Sequence, residues 1–220
     1  PEIITTSNIN QFYEYLHTRP HKRKAIALSA CYINHHVYAL RVFFNWLETT
    51  GQLNTNPMSV LTFKHPKSSP REPFTQAEIT QLFNVVQTAQ ENAVLHLFYS
   101  CGLRRSEGET LQISDVHFKQ QLLYVREGKG SKRRVVPMPE RVAKALEKYY
   151  LTERMEQKNT KDTQAFVLNK IGTRMRGSGY NKLLKNLMAR AEILKEASLH
   201  HLRHSIATHL LERGLSIEKV

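Results

Sequence analysis

His200 and Arg203 lie three residues apart within the stretch Ser198-Leu-His-His-Leu-Arg-His-Ser-Ile-Ala-Thr-His-Leu-Leu-Glu-Arg-Gly214. A helix through these residues presents both side chains on one face, with Leu199, Leu202, Ile206 and Leu210 forming the adjoining apolar stripe. That pairing suits a phosphate clamp. An arginine is always charged, and its planar fork gives two parallel hydrogen bonds to phosphate oxygens. Two arginines approaching from different helices can therefore hold and neutralise a phosphate without a metal. The second candidate is Arg104, in Cys101-Gly-Leu-Arg-Arg-Ser-Glu107, where an apolar helix meets a glycine and a new helix begins. Taken alone, Arg104 reads as a solvated cation at a helix end.

A third basic element is Gly128-Lys-Gly-Ser-Lys-Arg-Arg134. Its paired glycines allow a tight turn and leave Lys129 able to reach a phosphate or a groove. Lys129 is the candidate general acid, because the charges of Lys132, Arg133 and Arg134 depress its pKa by repulsion. Lys132 is the rival for that role, and a run that only contacts nucleic-acid backbone is the other reading. Lys132, Arg133 and Arg134, together with Arg41 and His204, are the further candidates for DNA contact. A metal site at the three histidines is not expected: a zinc-protease helix needs Glu directly after the first His, and position 201 is His. Cys31 and Cys101 offer no paired-ligand spacing either. Ser205 and Asp115 with the histidines lack the strand-to-helix elbow of a hydrolase.

The elements that must position these residues read as follows. Val37, Leu40, Phe44 and Leu47 recur at helical spacing over 36–50, Gly51 offers a left-handed cap and Asn56-Pro57 marks a turn. Ile9, Phe12 and Leu16 suggest an earlier helix, and Ser29 to Tyr32 open the next, so the first 62 or so residues form a small all-α unit. Lys64 to Pro73 carries three prolines among charged residues and reads as a linker. Just after it, Thr75 and Glu78 match a capping box, with Phe74 and Ile79 placed for a hydrophobic staple. Ala93, Val94, Leu97 and Phe98 form another stripe, Pro139 opens a helix through Tyr149, and 180–191 is helical. Leu122–Arg126 and Arg133–Val136 read as the two strands of a hairpin. Lys plus Arg numbers 32 against 19 Asp plus Glu, a net charge of +13, which favours a polyanionic partner through counterion release. Two cysteines inside apolar helical patterns read as buried reduced thiols in a reducing, cytoplasmic setting. No apolar run approaches a membrane span, and no signal peptide is evident.

The three basic motifs, in this order and behind a helical first domain, resemble those of the tyrosine recombinases, the integrase and Xer family of DNA strand-exchange enzymes. The resemblance covers nearly the whole chain. It implies a mainly α fold: a small helical, SAM-like core-binding domain over 1–64, a linker over 65–72, and a mostly helical catalytic domain with a small antiparallel sheet over 73–220. The family's Gly-Leu-Arg triplet followed by Ser-Glu selects Arg104 over Arg105, and makes Glu107 a carboxylate that orients an arginine or the histidine. Its His-x-x-Arg-His signature falls on His200 to His204. By the same comparison the catalytic residues are Arg104, Lys129, His200 and Arg203, and no cofactor is needed. The partner is double-stranded DNA, held by four protomers on two sites in the full-length protein. The family's nucleophilic tyrosine follows its second arginine, and none of the nine tyrosines here follows Arg203. The first residue is Pro1 and not Met, and the resemblance implies a missing first helix of the core-binding domain, so both ends of the chain read as trimmed, with Ser216 as the N-cap of a further helix. The expectation is a chain that binds DNA without cutting it. A non-catalytic DNA-binding or regulatory fragment of the same fold is the alternative.

Overall fold

The computed structural model describes residues 4–20, 27–64, 72–126, 133–157 and 159–216. It divides into two compact units, Pro1–Pro70 and Arg71–Val220. Of the expected linker over 65–72, only Glu72 lies among the described residues. Lys129 and Lys132 lie outside them, as do the residues that would follow a cap at Ser216.

In the first unit, helix α1 (Thr6–Thr18) starts at a capping box between Thr5 and Asn8. Helix α2 (Ala30–Thr49) starts where the Ser29 hydroxyl accepts from the Tyr32 backbone N–H at 3.2 Å. The periodicity over 36–50 is thus the C-terminal part of a longer helix. It ends as expected at Gly51, whose φ of +70° lets Gln52 N–H return to the Leu47 carbonyl at 2.9 Å. Ile9, Val37, Phe44, Leu47 and Met58 form the core. The buried Asn56 fixes the following turn: its Oδ1 accepts from Met58 N at 2.9 Å, and its amide donates to Asn45 at 2.7 Å. Cys31 departs from expectation. It is exposed on α2, because its position falls outside the face defined by Ile33, Val37 and Phe44.

The second unit is built around one apolar core to which nearly every element contributes. Helix α3 (Gln76–Asn84) begins at the Thr75–Glu78 capping box, with Phe74 and Ile79 buried in that core. Helix α4 (Ala89–Leu95) has its first N–H groups capped from a distance by Glu153, which accepts from Ala89 N at 2.5 Å and Gln90 N at 3.0 Å. A π-helical turn, His96–Ser100, prolongs it, and the short helix α5 (Arg105–Thr110) follows. Three antiparallel strands, β1 (Val116–His117), β2 (Leu122–Val125) and β3 (Arg134–Pro137), form a sheet in chain order. The sequence showed the two longer strands, and β1 adds two residues to their edge.

Helix α6 (Glu140–Tyr149) packs on α4 and continues through a second π-helical turn, Tyr150–Arg154. Helix α7 (Gly177–Arg190) starts three residues earlier than expected. Helix α8 (Leu199–Glu212) packs against α7 and the first π turn. On α8, Leu199 and Leu202 are buried while Ile206 and Leu210 are half-buried, so the apolar stripe is deepest at the end that carries His200 and Arg203.

Candidate active site

The π-helical turn delivers Arg104. Widening the helix sends Cys101 N–H to the His96 carbonyl at 2.8 Å, and Leu103 N–H returns to Leu97 at 3.0 Å. Gly102, at φ +57°, then reverses the chain, a conformation that side chains with a Cβ adopt only with strain. Leu103 is driven into the core and Arg104 becomes the N-cap residue of α5, with extended φ and ψ of −71° and 156°. Its cap is supplied by Glu107, whose Oε2 accepts from Arg104 N at 2.7 Å. Close packing seats α5: a Cβ on Gly108 would lie 2.5 Å from the Phe98 ring, and the Gly108 carbonyl accepts from the buried Tyr180 hydroxyl at 3.0 Å.

Glu107 is the hub of the site. Its side chain is 1% exposed, and each carboxylate oxygen has two donors. Oε1 accepts from Arg104 Nη1 at 2.8 Å and Arg134 Nη1 at 2.6 Å, while Oε2 accepts from Arg104 N and from Arg134 Nη2 at 2.8 Å. Arg203 of α8 brings Nη1 to 4.0 Å from Oε2 and donates to the Gly102 carbonyl. Three guanidinium groups from α5, β3 and α8 therefore surround one carboxylate. Burial alone would raise the Glu107 pKa, but the hydrogen bonds from Arg134 and Arg104 overcome it and hold the group at about 2. Burial lowers the Arg203 pKa, and the charges of Arg104 and Arg134 lower it further. It still carries its proton at neutral pH.

A pH dependence follows. With a folded pKa below its ordinary 4.5, Glu107 contributes stability that is fully present above 4.5 and is lost as pH falls toward about 2. A Glu107→Gln variant is expected to show a flatter stability curve across that window in denaturant titrations. A curve parallel to the parent's would place the linkage elsewhere.

The other candidates are distributed as follows. His200 and His204 are exposed on α8, in its first and second turns. His201, between them, caps the helix: its Nδ1 accepts from Ser198 N at 3.0 Å. Arg133 is exposed and directly precedes β3. Arg134 instead points inward, beside the buried Val125 with which it pairs across the strands. Arg41 belongs to the first unit, where Nη2 donates to the Leu61 carbonyl at 3.4 Å. Ser205 is buried, accepting from Phe74 N at 2.7 Å and donating to the His201 carbonyl at 2.7 Å, which fastens α8 to the start of α3. Asp115 is paired with Arg126. Buried Cys101 has its thiol pKa pushed up to about 12 by desolvation, so it stays protonated.

The chain is similar to known proteins in family and in fold. Residues 72–220 match the model of the phage integrase family. The tyrosine recombinase XerD of Oceanobacillus iheyensis is 36% identical over 200 residues, covering 87% of this chain and 66% of that protein. The chain spans about two thirds of the length of the curated relatives it matches, 65% and 66% for two of them. The crystal structure of XerA recombinase superposes with a TM-score of 0.61 at 27% identity, over 99% of this chain and 73% of that one. The Tn1549 transposon integrase, solved in complex with circular intermediate DNA, shares the fold at a TM-score of 0.72 and 20% identity, over 99% and 76% of the two chains.

Proposed function

We propose, because this chain belongs to the phage integrase family of tyrosine recombinases, that it is the DNA-binding and phosphate-holding part of a site-specific recombinase. The observation that supports this most directly is the convergence of Arg104 and Arg203, from separate elements, on Glu107 and the adjoining Gly102 carbonyl. Both side chains stay partly open to solvent, 40% and 29% exposed. Their cationic forks are thus available for the two non-bridging oxygens of a phosphodiester.

The reaction is metal-free. A tyrosine hydroxyl attacks the scissile phosphorus, forming an O–P bond as the bond to the 5′-oxygen breaks. The phenolic proton passes to a base, for which His200 is the candidate, and the departing 5′-oxygen takes a proton from Lys129, with Lys132 its rival. The 5′-hydroxyl of a partner strand then reverses the step. Double-stranded DNA is the partner, four protomers act on two sites, and the setting is cytoplasmic. Arg133, Lys132, His204 and Arg41 are the candidate backbone contacts outside the phosphate site.

No tyrosine in these 220 residues follows Arg203, which supports binding without cleavage by this chain alone. Binding should weaken steeply with salt, each neutralised phosphate contributing a slope of roughly −0.9 in log K against log salt. Fluorescence-anisotropy titrations on a duplex between low and moderate salt test this. A slope near zero would remove the electrostatic basis of the proposal.

A further inference from the structure

We infer that Arg134 is a positioning residue: it takes up the charge of Glu107 so that Arg104 and Arg203 remain available to a phosphate. The inference rests on the reading of Arg104 and Arg203 as a phosphate site and goes beyond it, since the sequence marked Arg134 only as one member of a DNA-contacting basic run.

The geometry separates Arg134 from that run. Arg133 and Val135 are exposed, whereas Arg134 is half-buried on the inward face of β3. There it grips both oxygens of Glu107 at 2.6 and 2.8 Å, a bidentate pair that fixes orientation as well as distance. Arg104 uses only Nη1 on the same carboxylate, at 2.8 Å. One negative charge is therefore shared among three cations, and the firmest hold on it comes from Arg134. Without Arg134 the full charge of a buried carboxylate would fall on Arg104 and on Arg203, 4.0 Å away. Glu107 would then compete with the phosphate for the same forks. It would also lose the contact that keeps its carboxylate plane fixed, and with it the orientation of the Arg104 fork.

The test uses the 220-residue chain and inorganic phosphate as the probe, with binding followed by the NMR signals of the Arg104 and Arg203 Nε–H groups. In the parent chain both signals should shift saturably. Arg134→Leu is expected to weaken phosphate binding about tenfold, and the same change in a Glu107→Gln background to weaken it less than about twofold. An effect routed through one partner disappears when that partner's charge is removed. Arg134→Lys keeps a cation beside Glu107 but not the two-oxygen grip, and should fall between parent and Arg134→Leu. It carries the test if Arg134→Leu does not fold.

An equal loss in both backgrounds would mean that Arg134 acts on the phosphate directly and would overturn the inference, as would no loss in either. If the parent's Arg104 and Arg203 signals ignore phosphate altogether, the phosphate-site reading falls and the inference falls with it.

Discussion

Replacing Arg203 with lysine is expected to lower formation of a 3′-phosphotyrosine by a factor of about a hundred or more, in a chain extended through the tyrosine that its family places after the second arginine. Preorganised donors count most where charge develops in a water-excluded site, and losing one costs about 10²–10³ in rate. Lysine cannot substitute here for a structural reason. Arg203 already commits Nη1 to the Gly102 carbonyl, the point where the chain reverses to deliver Arg104. A planar fork can hold that carbonyl with one nitrogen and a phosphate oxygen with another, whereas a single ammonium must choose. Arg104→Lys should fail similarly, because the Glu107 bond and the phosphate likewise need separate nitrogens. The assay is a suicide substrate that traps the covalent intermediate. The unextended chain, run beside it, should trap none. Tyr180 is fully buried, its hydroxyl is held by Gly108, and burial raises its pKa far from ionisation at neutral pH. Tyr149 is buried with its hydroxyl accepting from Leu168 N, and the Tyr99 hydroxyl bonds His209 Nδ1 at 3.0 Å. An adduct formed by the 220 residues would show that one of their own tyrosines attacks. Near-normal trapping by Arg203→Lys would show that charge alone suffices.

The sequence singled out Arg104 and Arg203, which the structure brings to Glu107 and Gly102, and long-range pairing hid what joins them. Gly102 and Arg104 lie two residues apart, so the helix break and the arginine after it could be read locally, but Arg104 alone read as a solvated cation and only the resemblance to the family paired it with Glu107. His200 and Arg203 were legible because a helix fixes which residues share a face. The partner of Glu107 was not, since Arg134 comes 27 residues later on a strand. The one local signal was strand alternation: Arg134 shares a face with Val136 and lies opposite Val125, whereas Arg133 does not. A run of consecutive basic residues conceals that alternation, because every position looks solvent-seeking. Ser205 was similarly opaque, since its partner Phe74 N lies 131 residues away. The π turn before Arg104 leaves no periodic mark, as a single widened turn keeps Val94, Leu97 and Phe98 on the buried side. Cys31 was misjudged because an apolar neighbourhood in sequence covers more than one face of a helix, and only the Ile33, Val37 and Phe44 face is buried.

Removing the hub should be the most damaging change to the fold. Glu107→Ala is expected to destabilise the second unit by about 3–5 kcal/mol, the usual cost of deleting one partner of a buried ion pair. The loss has three parts in this site. Arg104, Arg134 and Arg203 would repel one another with no counter-charge between them. The backbone N–H of Arg104 would lose its acceptor at the start of α5. Arg134, 32% exposed and held by both carboxylate oxygens, would be left partly desolvated without a partner. Glu107→Gln should cost less, because its carbonyl oxygen still accepts and its size is unchanged, and the difference between the two variants isolates the cap and the packing from the charge. Urea denaturation of the 220-residue chain at neutral pH measures both, with fluorescence of the first unit's Trp46 and far-ultraviolet circular dichroism reporting separately. A loss below about 1 kcal/mol for Glu107→Ala would mean that desolvating the carboxylate cancels what its pairs contribute, the balance often found for buried ion pairs. Such a result would make Glu107 a device for orientation alone. Glu107→Ala would then lower phosphate binding while leaving stability nearly unchanged.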